Sequence, residues 1–463
     1  MTLANRLNSF LVSAVIIATT LLYGTVHQPT LLLFYFVVSV MLVTWAIDCF
    51  LSGTFKFSRS SLQLPAYLTA VYAFIQIVPL GSIAEAAGVI GIPRYISKAP
   101  FSTETTGLHY VALGLFLSLS LVSLDSASRL RKLVSLISIF GFAFAFFAIL
   151  QSFLSPLKIY GIYESRFATP FGSFVNRHDF AAYMEMTMSV PLGLIFVGAI
   201  ARDKRLLYIT TIALMGVALL LSGSRGGFVA MIGEIFLLII FTTRSRGVKR
   251  IALQAVLAVL LIGSVVAGAY FVGGESSLTR FAELSSSKNV TANRTQIWDV
   301  TLKVIANNLP LGAGLGAFPQ AYTPFDPQSG LERVEQSHND YLQVLADAGI
   351  VGLVIGGLFL FWFFREGIKN TKGSNTFRRG VAVGAFAGCF AILVHSMFDF
   401  VLHITAVSVL FLTLMAMLVA SGRKYEDDIE EFDAIPSKHH SRASVTPISD
   451  ASYPKKSDRP SST

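Results

Sequence analysis

Apolar residues along this chain gather in long unbroken blocks, each close to the ~20 residues that cross a bilayer as a helix. Neither the alternation of a half-buried strand nor the one-sided stripe of a soluble helix dominates. Twelve spans are predicted, roughly at residues 10–26, 31–51, 62–80, 107–124, 133–153, 180–200, 207–222, 227–241, 251–272, 349–364, 380–397 and 404–420. The fold class expected is all-α, a polytopic helical membrane protein.

Composition sharpens this reading. The chain has 463 residues, 53% hydrophobic and only 14% charged, where a soluble domain carries about 25% charged residues. Too few polar side chains remain to cover a water-facing surface. Soluble, disordered, collagen-like and disulfide-rich classes are excluded. The net charge of +9 would suggest nucleic acid in a soluble protein; here the position of the basic residues matters instead, and no nucleic acid is expected. Placing the N-terminus inside puts 25 of the 36 Lys and Arg in short inside loops and the tail. That asymmetry predicts both termini on the cytoplasmic side. The first apolar run lacks a small-x-small cleavage site and is read as an uncleaved span, with a signal peptide as the alternative. Cys49 and Cys389 both lie in apolar blocks and imply no disulfide framework.

The outside face then holds the loops 81–106 and 154–179 and one large loop, 273–348, between spans 9 and 10. Within it, Asn293–Asn307 reads as a helix lying on the membrane surface. Residues 1–420 form the transmembrane unit. Residues 421–463 are polar and read as a disordered cytoplasmic tail.

No P-loop, no H-E-x-x-H and no D-x-D pair is present. Gly312–Ala317 fits G-x-G-x-x-A but follows no strand, so it reads as a tight turn. Four outside constellations remain. In Ser222-Gly223-Ser224-Arg225-Gly226-Gly227, Arg225 stands at the bilayer edge between glycines. Its guanidinium can hold phosphate oxygens bidentately or snorkel to headgroups. Asn293-Arg294-Thr295-Gln296-Ile297-Trp298 puts Arg294 on the first turn of the surface helix, as a phosphate ligand or a solvated side chain. Gln336-Ser337-His338-Asn339-Asp340-Tyr341 puts His338 just before re-entry to the membrane. Its imidazole can act as general base, donate to a substrate oxygen, or be a structural hydrogen-bonding group. In Phe171–Asp179, Asn176 or Asp179 would cap the following helix.

These elements resemble the O-antigen ligase and O-antigen polymerase superfamily: S-G-S-R-G-G at Ser222–Gly227, N-R-x3-W at Asn293–Trp298, and S-H-N-D-Y-L with H-x10-G-x-x-G at His338–Gly352. The entry to a mid-chain span around Asn176–Tyr183 is similar too. The resemblance covers roughly residues 10–420. It implies a membrane glycosyltransferase on the outer face of the bacterial inner membrane, working without a metal or cofactor. The implied donor is an undecaprenyl-diphosphate-linked glycan. The implied acceptor is a lipid A–core hydroxyl for a ligase, or another lipid-linked glycan for a polymerase; membrane lipids surround both. The resemblance gives Arg225 and Arg294 the diphosphate-binding role and His338 the catalytic one, as base or as orienting group. Asn176, Asn339 and Glu185 are accessory candidates.

Glu185 and Glu234 lie inside spans. Intramembrane carboxylates suggest function, which keeps a transporter of lipid-linked glycan as an alternative class; interhelix pairing is the plainer reading. His395, Asp399 and His403 would share one face if their helix is continuous, as a polar cap in preference to a metal site.

Overall fold

The computed structural model describes residues 2–83, 91–165, 168–242, 288–328 and 333–423, together with Gly263 and Leu331. Among these, eight helices precede the large loop: α1 (Leu3–Leu21), α2 (Gln28–Ser52), α3 (Leu64–Gln76), α4 (Pro100–Ser123), α5 (Ala127–Leu154), α6 (Arg177–Val197), α7 (Arg205–Leu221) and α8 (Arg225–Thr242). Then follow α9 (Lys288–Asn308), α10 (Phe318–Tyr322), α11 (Asp340–Asn370), α12 (Thr376–His395) and α13 (Thr405–Ser421). Two-residue strands form small hairpins, Ser82–Ile83 with Ile92–Pro93 and Lys158–Ile159 with Tyr163–Glu164. Nine of the described helices are long and apolar enough to cross a membrane. A helix overlies each of the expected spans except the ninth, 251–272, which lies outside the described residues. The segments 273–287 and 424–463 lie outside them as well.

α6 is the axis of the bundle, and nearly all of it is buried. It packs on α12 through small residues at helical spacing. A Cβ at Gly193 would sit 2.4 Å from the backbone of Gly380 and Gly384. One at Gly384 would sit 2.5 Å from the Ser189 carbonyl, and one at Gly388 2.3 Å from Ser189 Oγ. Such i, i+4 glycines let two backbones approach where lipid supplies no hydrophobic drive between helices. One turn further along the same contact, Glu185 faces His395. Outer helices present apolar side chains instead: Phe36 and Phe50 of α2 are 65% and 87% exposed.

A second, smaller core lies at one end of the bundle. Val300 and Val304 of α9, Phe318, Ala321 and Tyr322 of α10, and Ala346 of α11 are buried together. Gln76 at the end of α3 ties it down. Its side chain donates to the carbonyls of Leu311 (3.1 Å) and Asp347 (3.0 Å) and accepts from Leu315 N (2.9 Å). The turn Gly312–Ala317 has positive φ at Gly312, Gly314 and Gly316, as expected of a tight turn. α11 breaks at Gly349 (φ 56°, ψ −142°), where a Cβ would meet Pro310 O at 2.2 Å. Residues 340–348 therefore pack with α9 and α10, and the rest continues as an apolar helix. The expected span start at residue 349 is the break; the helix itself begins at Asp340.

Candidate functional site

The Ser222–Gly227 motif is a turn between α7 and α8. Gly223 supplies a positive φ of 68°. Ser224 Oγ accepts from Gly227 N at 3.2 Å, closing the first turn of α8, of which Arg225 is the first residue. The two glycines after it are needed for contact. A Cβ at Gly226 would lie 2.9 Å from the His395 ring, and one at Gly227 2.9 Å from Glu185 Oε1. Arg225 makes no ion pair among the described residues, and its buried Nη2 has no hydrogen-bond partner there.

The Ser337–Asp340 motif is built to hold one imidazole. Ser337 is fully buried. Its N–H donates to Gln343 Oε1 (2.7 Å), its hydroxyl to Asn339 O (2.7 Å), and its carbonyl accepts from Trp298 Nε1 (3.0 Å). Asn339 caps α11, accepting from Tyr341 N and Leu342 N. Between these two anchors His338 is held at φ 52°, a conformation that costs energy for a non-glycine residue and collects at functional sites. Its ring meets Phe400 edge-on, with centroids 4.9 Å apart.

Asp399 joins the motifs. Oδ1 lies 3.1 Å from His338 Nδ1, and Oδ2 is 3.2 Å from Arg294 Nη2 and 3.9 Å from His178 Nδ1. Phe400 N also donates to Oδ1 at 3.0 Å. His178 Nδ1 is in turn 2.9 Å from Ser224 Oγ, which links this cluster to the Arg225 turn. Burial by itself raises the Asp399 carboxyl. The His338 hydrogen bond, then the proximity of His178, His338 and Arg294, outweigh it and hold Asp399 well below the usual carboxylate range. An ionised carboxylate can only accept. His338 Nδ1 is therefore the donor to Asp399, and Nε2 is the ring nitrogen left for another partner.

A second network fixes the loop. His403 Nδ1 lies 3.0 Å from Asp340 Oδ1, and Ser396 Oγ donates to Asp340 Oδ2 at 2.7 Å. Asp340 N donates to Ser396 O (2.9 Å), and Asn339 Nδ2 to Met397 O (3.1 Å). Burial pulls the His403 imidazole down, but the Asp340 hydrogen bond and charge raise it above its ordinary value.

His395, Asp399 and His403 do not share a helix face. α12 ends at His395 and the chain turns, so each finds a different partner: Glu185, the His338–Arg294 pair, and Asp340. Glu185, fully buried, accepts the interhelix contact with His395 Nδ1 at 2.9 Å. It lies beneath the Arg225 turn, against Gly227. Glu234 is also fully buried, and neither carboxylate oxygen has a partner among the described residues. Asn176 is the cap of α6, accepting from His178 N at 3.1 Å, and so orients His178.

The structure thus brings Arg294 and His338 onto one carboxylate and sets the Arg225 turn beside them. Sequence reasoning missed His178 and Ser224, and it read Asp399 as part of a polar cap in preference to a metal site. The available signal was a carboxylate flanked by Phe398 and Phe400, an expensive residue in an apolar hairpin.

Residues 210–356 match the family model described as O-antigen ligase. The matched segment contains Arg225, Arg294 and His338, while His178, Glu185 and Asp399 fall outside it. The match supports placement in the O-antigen ligase/polymerase superfamily, whose members are membrane glycosyltransferase-like enzymes. No curated protein matches the chain.

Proposed function

With that superfamily as the premise, we propose that the chain moves a glycan from an undecaprenyl-diphosphate carrier to an acceptor hydroxyl, as an O-antigen ligase does. The observation that carries this reading is the His338–Asp399–Arg294 cluster beside Arg225, which makes no ion pair among the described residues. In the proposed step the acceptor O–H gives its proton to His338 Nε2. The acceptor oxygen forms the new bond at the anomeric carbon from the side opposite the leaving group. The bond from that carbon to the diphosphate oxygen breaks, and the leaving lipid diphosphate gains negative charge.

Arg225 and Arg294 stabilise that charge, in the role a metal ion fills elsewhere. Asp399 holds the His338 tautomer and orients the Arg294 fork. Helix polarity supports the same reading. α6, α8 and α11 begin at this site and α7 and α12 end there; the N-termini of the first three favour anions. The apolar carrier tail would reach the site laterally from lipid, between helices. We place this face on the outside of the inner membrane and both termini in the cytoplasm, from the distribution of Lys and Arg.

The test is complementation of a ligase-deficient strain with His338→Ala, Arg225→Ala, Arg294→Ala and Glu185→Gln, with membrane expression checked for each. Loss of surface glycan in the first three, with lipid-linked donor accumulating, is the expected result. Long chains left on the carrier identify ligation; single repeat units identify polymerisation by the same site. Tolerance of all three together with damage from Glu185→Gln would replace transfer by transport.

A further inference from the structure

A cavity of about 720 Å³ opens at the end of the bundle opposite His338. Its walls are the α2–α3 connection and the ends of α4, α11 and α13. Phe55 and Phe57 give it an apolar rim, and Lys56, Arg59, Lys369 and Arg423 line it. Two carboxylates, Asp125 and Glu366, also face it. Asp125 is taken by Arg129 at 3.1 Å, Glu366 lies 3.6 Å from Lys369, and Lys56 is paired with Asp48 at 2.8 Å. Arg59 makes no ion pair among the described residues; its guanidinium sits over the Phe57 ring at 6.0 Å. Lys369 is largely exposed. The site is therefore amphipathic, with surplus positive charge.

Arg423, part of the wall, is also where the described chain ends. Its guanidinium is fixed by the carbonyls of Leu121 (2.7 Å) and Leu124 (3.0 Å). The sequence that follows immediately is acidic. Glu426, Asp427, Asp428, Glu430, Glu431 and Asp433 stand around Ile429 and Phe432. Glu426 is three residues from the wall, at most ~11 Å of extended chain. So short a tether keeps the acidic run at high effective concentration beside the cavity. The pattern of carboxylates interleaved with two large apolar residues complements a basic rim with two exposed phenylalanines.

We propose that residues 426–433 of this chain's own tail dock in this cavity, carboxylates on Arg59 and Lys369, Ile429 or Phe432 against the rim. Docking there joins the ends of α4, α11 and α13. Two of these run from the His338 end of the molecule, since α11 begins and α13 follows at the network of Asp340 and His403.

The full-length chain in native membranes, carrying Cys49→Ser, tests this by pairing Val122→Cys in the cavity wall with Ile429→Cys. A short bis-maleimide should cross-link this pair several-fold more than Val122→Cys with Ser441→Cys. Arg59→Glu with Lys369→Glu should reduce it to the control level, and adding Glu430→Lys with Glu431→Lys should restore it. Equal cross-linking at 429 and 441, or indifference to charge reversal, overturns the proposal. So does a phospholipid held equally by the full chain and by a chain truncated after Lys424, with Arg59→Glu releasing it, as read by native mass spectrometry. The cavity would then belong to a lipid. None of these readouts depends on glycan transfer.

Discussion

The two ends of the helical bundle use their charged residues differently. At the end where α1 begins, cations sit on helix C-termini. Arg129 donates to Ser123 O (2.9 Å) and Asn5 Oδ1 (2.6 Å) and pairs with Asp125. Arg379 donates to the carbonyls of Thr371 (3.1 Å) and Phe241 (3.2 Å), and Arg423 to those of Leu121 and Leu124. These contacts satisfy carbonyls that have no intrahelical partner and complement the negative end of the macrodipole. They are structural work, complete without a ligand. At the other end, where α6, α8 and α11 begin and α7 and α12 end, cations and imidazoles converge on one carboxylate, Asp399. Arg225 has no carboxylate partner among the described residues, and His338 is held in a costly backbone conformation. Arginines of similar chemistry thus close one end and leave the other incomplete. Under the proposed function, the Arg225 charge that meets no carboxylate among the described residues is where the diphosphate would bind.

Substitutions should separate the two ends. The largest effect is expected at His338. His338→Ala should lower transfer by roughly 10²- to 10⁴-fold, the usual worth of a positioned general base, with the melting temperature in detergent nearly unchanged. Asp399→Asn should approach that loss, because the amide can donate to Nδ1 and so favour the wrong tautomer. A turnover assay on purified protein distinguishes both from misfolding. Next comes Arg225→Lys, which keeps charge but loses the planar fork; a fall of about 10²-fold is expected, and full activity would remove Arg225 from the site.

The opposite end should show the reverse profile. Arg129→Ala should cost about 1–3 kcal/mol by leaving polar groups unsatisfied, read as a lower melting temperature. The surviving folded protein should turn over at the normal rate. The smallest effect is the pH dependence of stability. Asp399 has a depressed folded pKa, so its contribution is present above the ordinary carboxylate range and is lost as pH falls through the folded value. His403 has a raised folded pKa, so its contribution is full below about pH 6.5 and fades as pH rises through the folded value. Thermal melts from pH 5 to 9 should therefore flatten in His403→Gln; an unchanged slope would show that the Asp340 pair contributes nothing.

Much of this was legible from the chain. Apolar blocks located the helices because a spanning segment must be long, continuous and satisfied within itself. Arg225, Arg294 and His338 were visible because each lies in a local motif. Asp399 was not read as the junction, because its partners are 61 and 105 residues away in sequence. Its spacing from His395 and His403 suggested a continuous helix face that the chain abandons at His395. The break at Gly349 was hidden for a related reason. The apolar pattern reports where lipid begins, whereas the helix starts nine residues earlier in the packing of α11 on α9 and α10.

The most direct measurement of the central claim uses vesicles with purified protein, a lipid-diphosphate-linked glycan and an acceptor, scored for released lipid diphosphate. His338→Ala and Arg129→Ala would be compared at equal folded protein. Release that vanishes in His338→Ala and persists in Arg129→Ala is the result expected. Release at the wild-type rate from His338→Ala would contradict the assignment of this end of the bundle as the site of transfer.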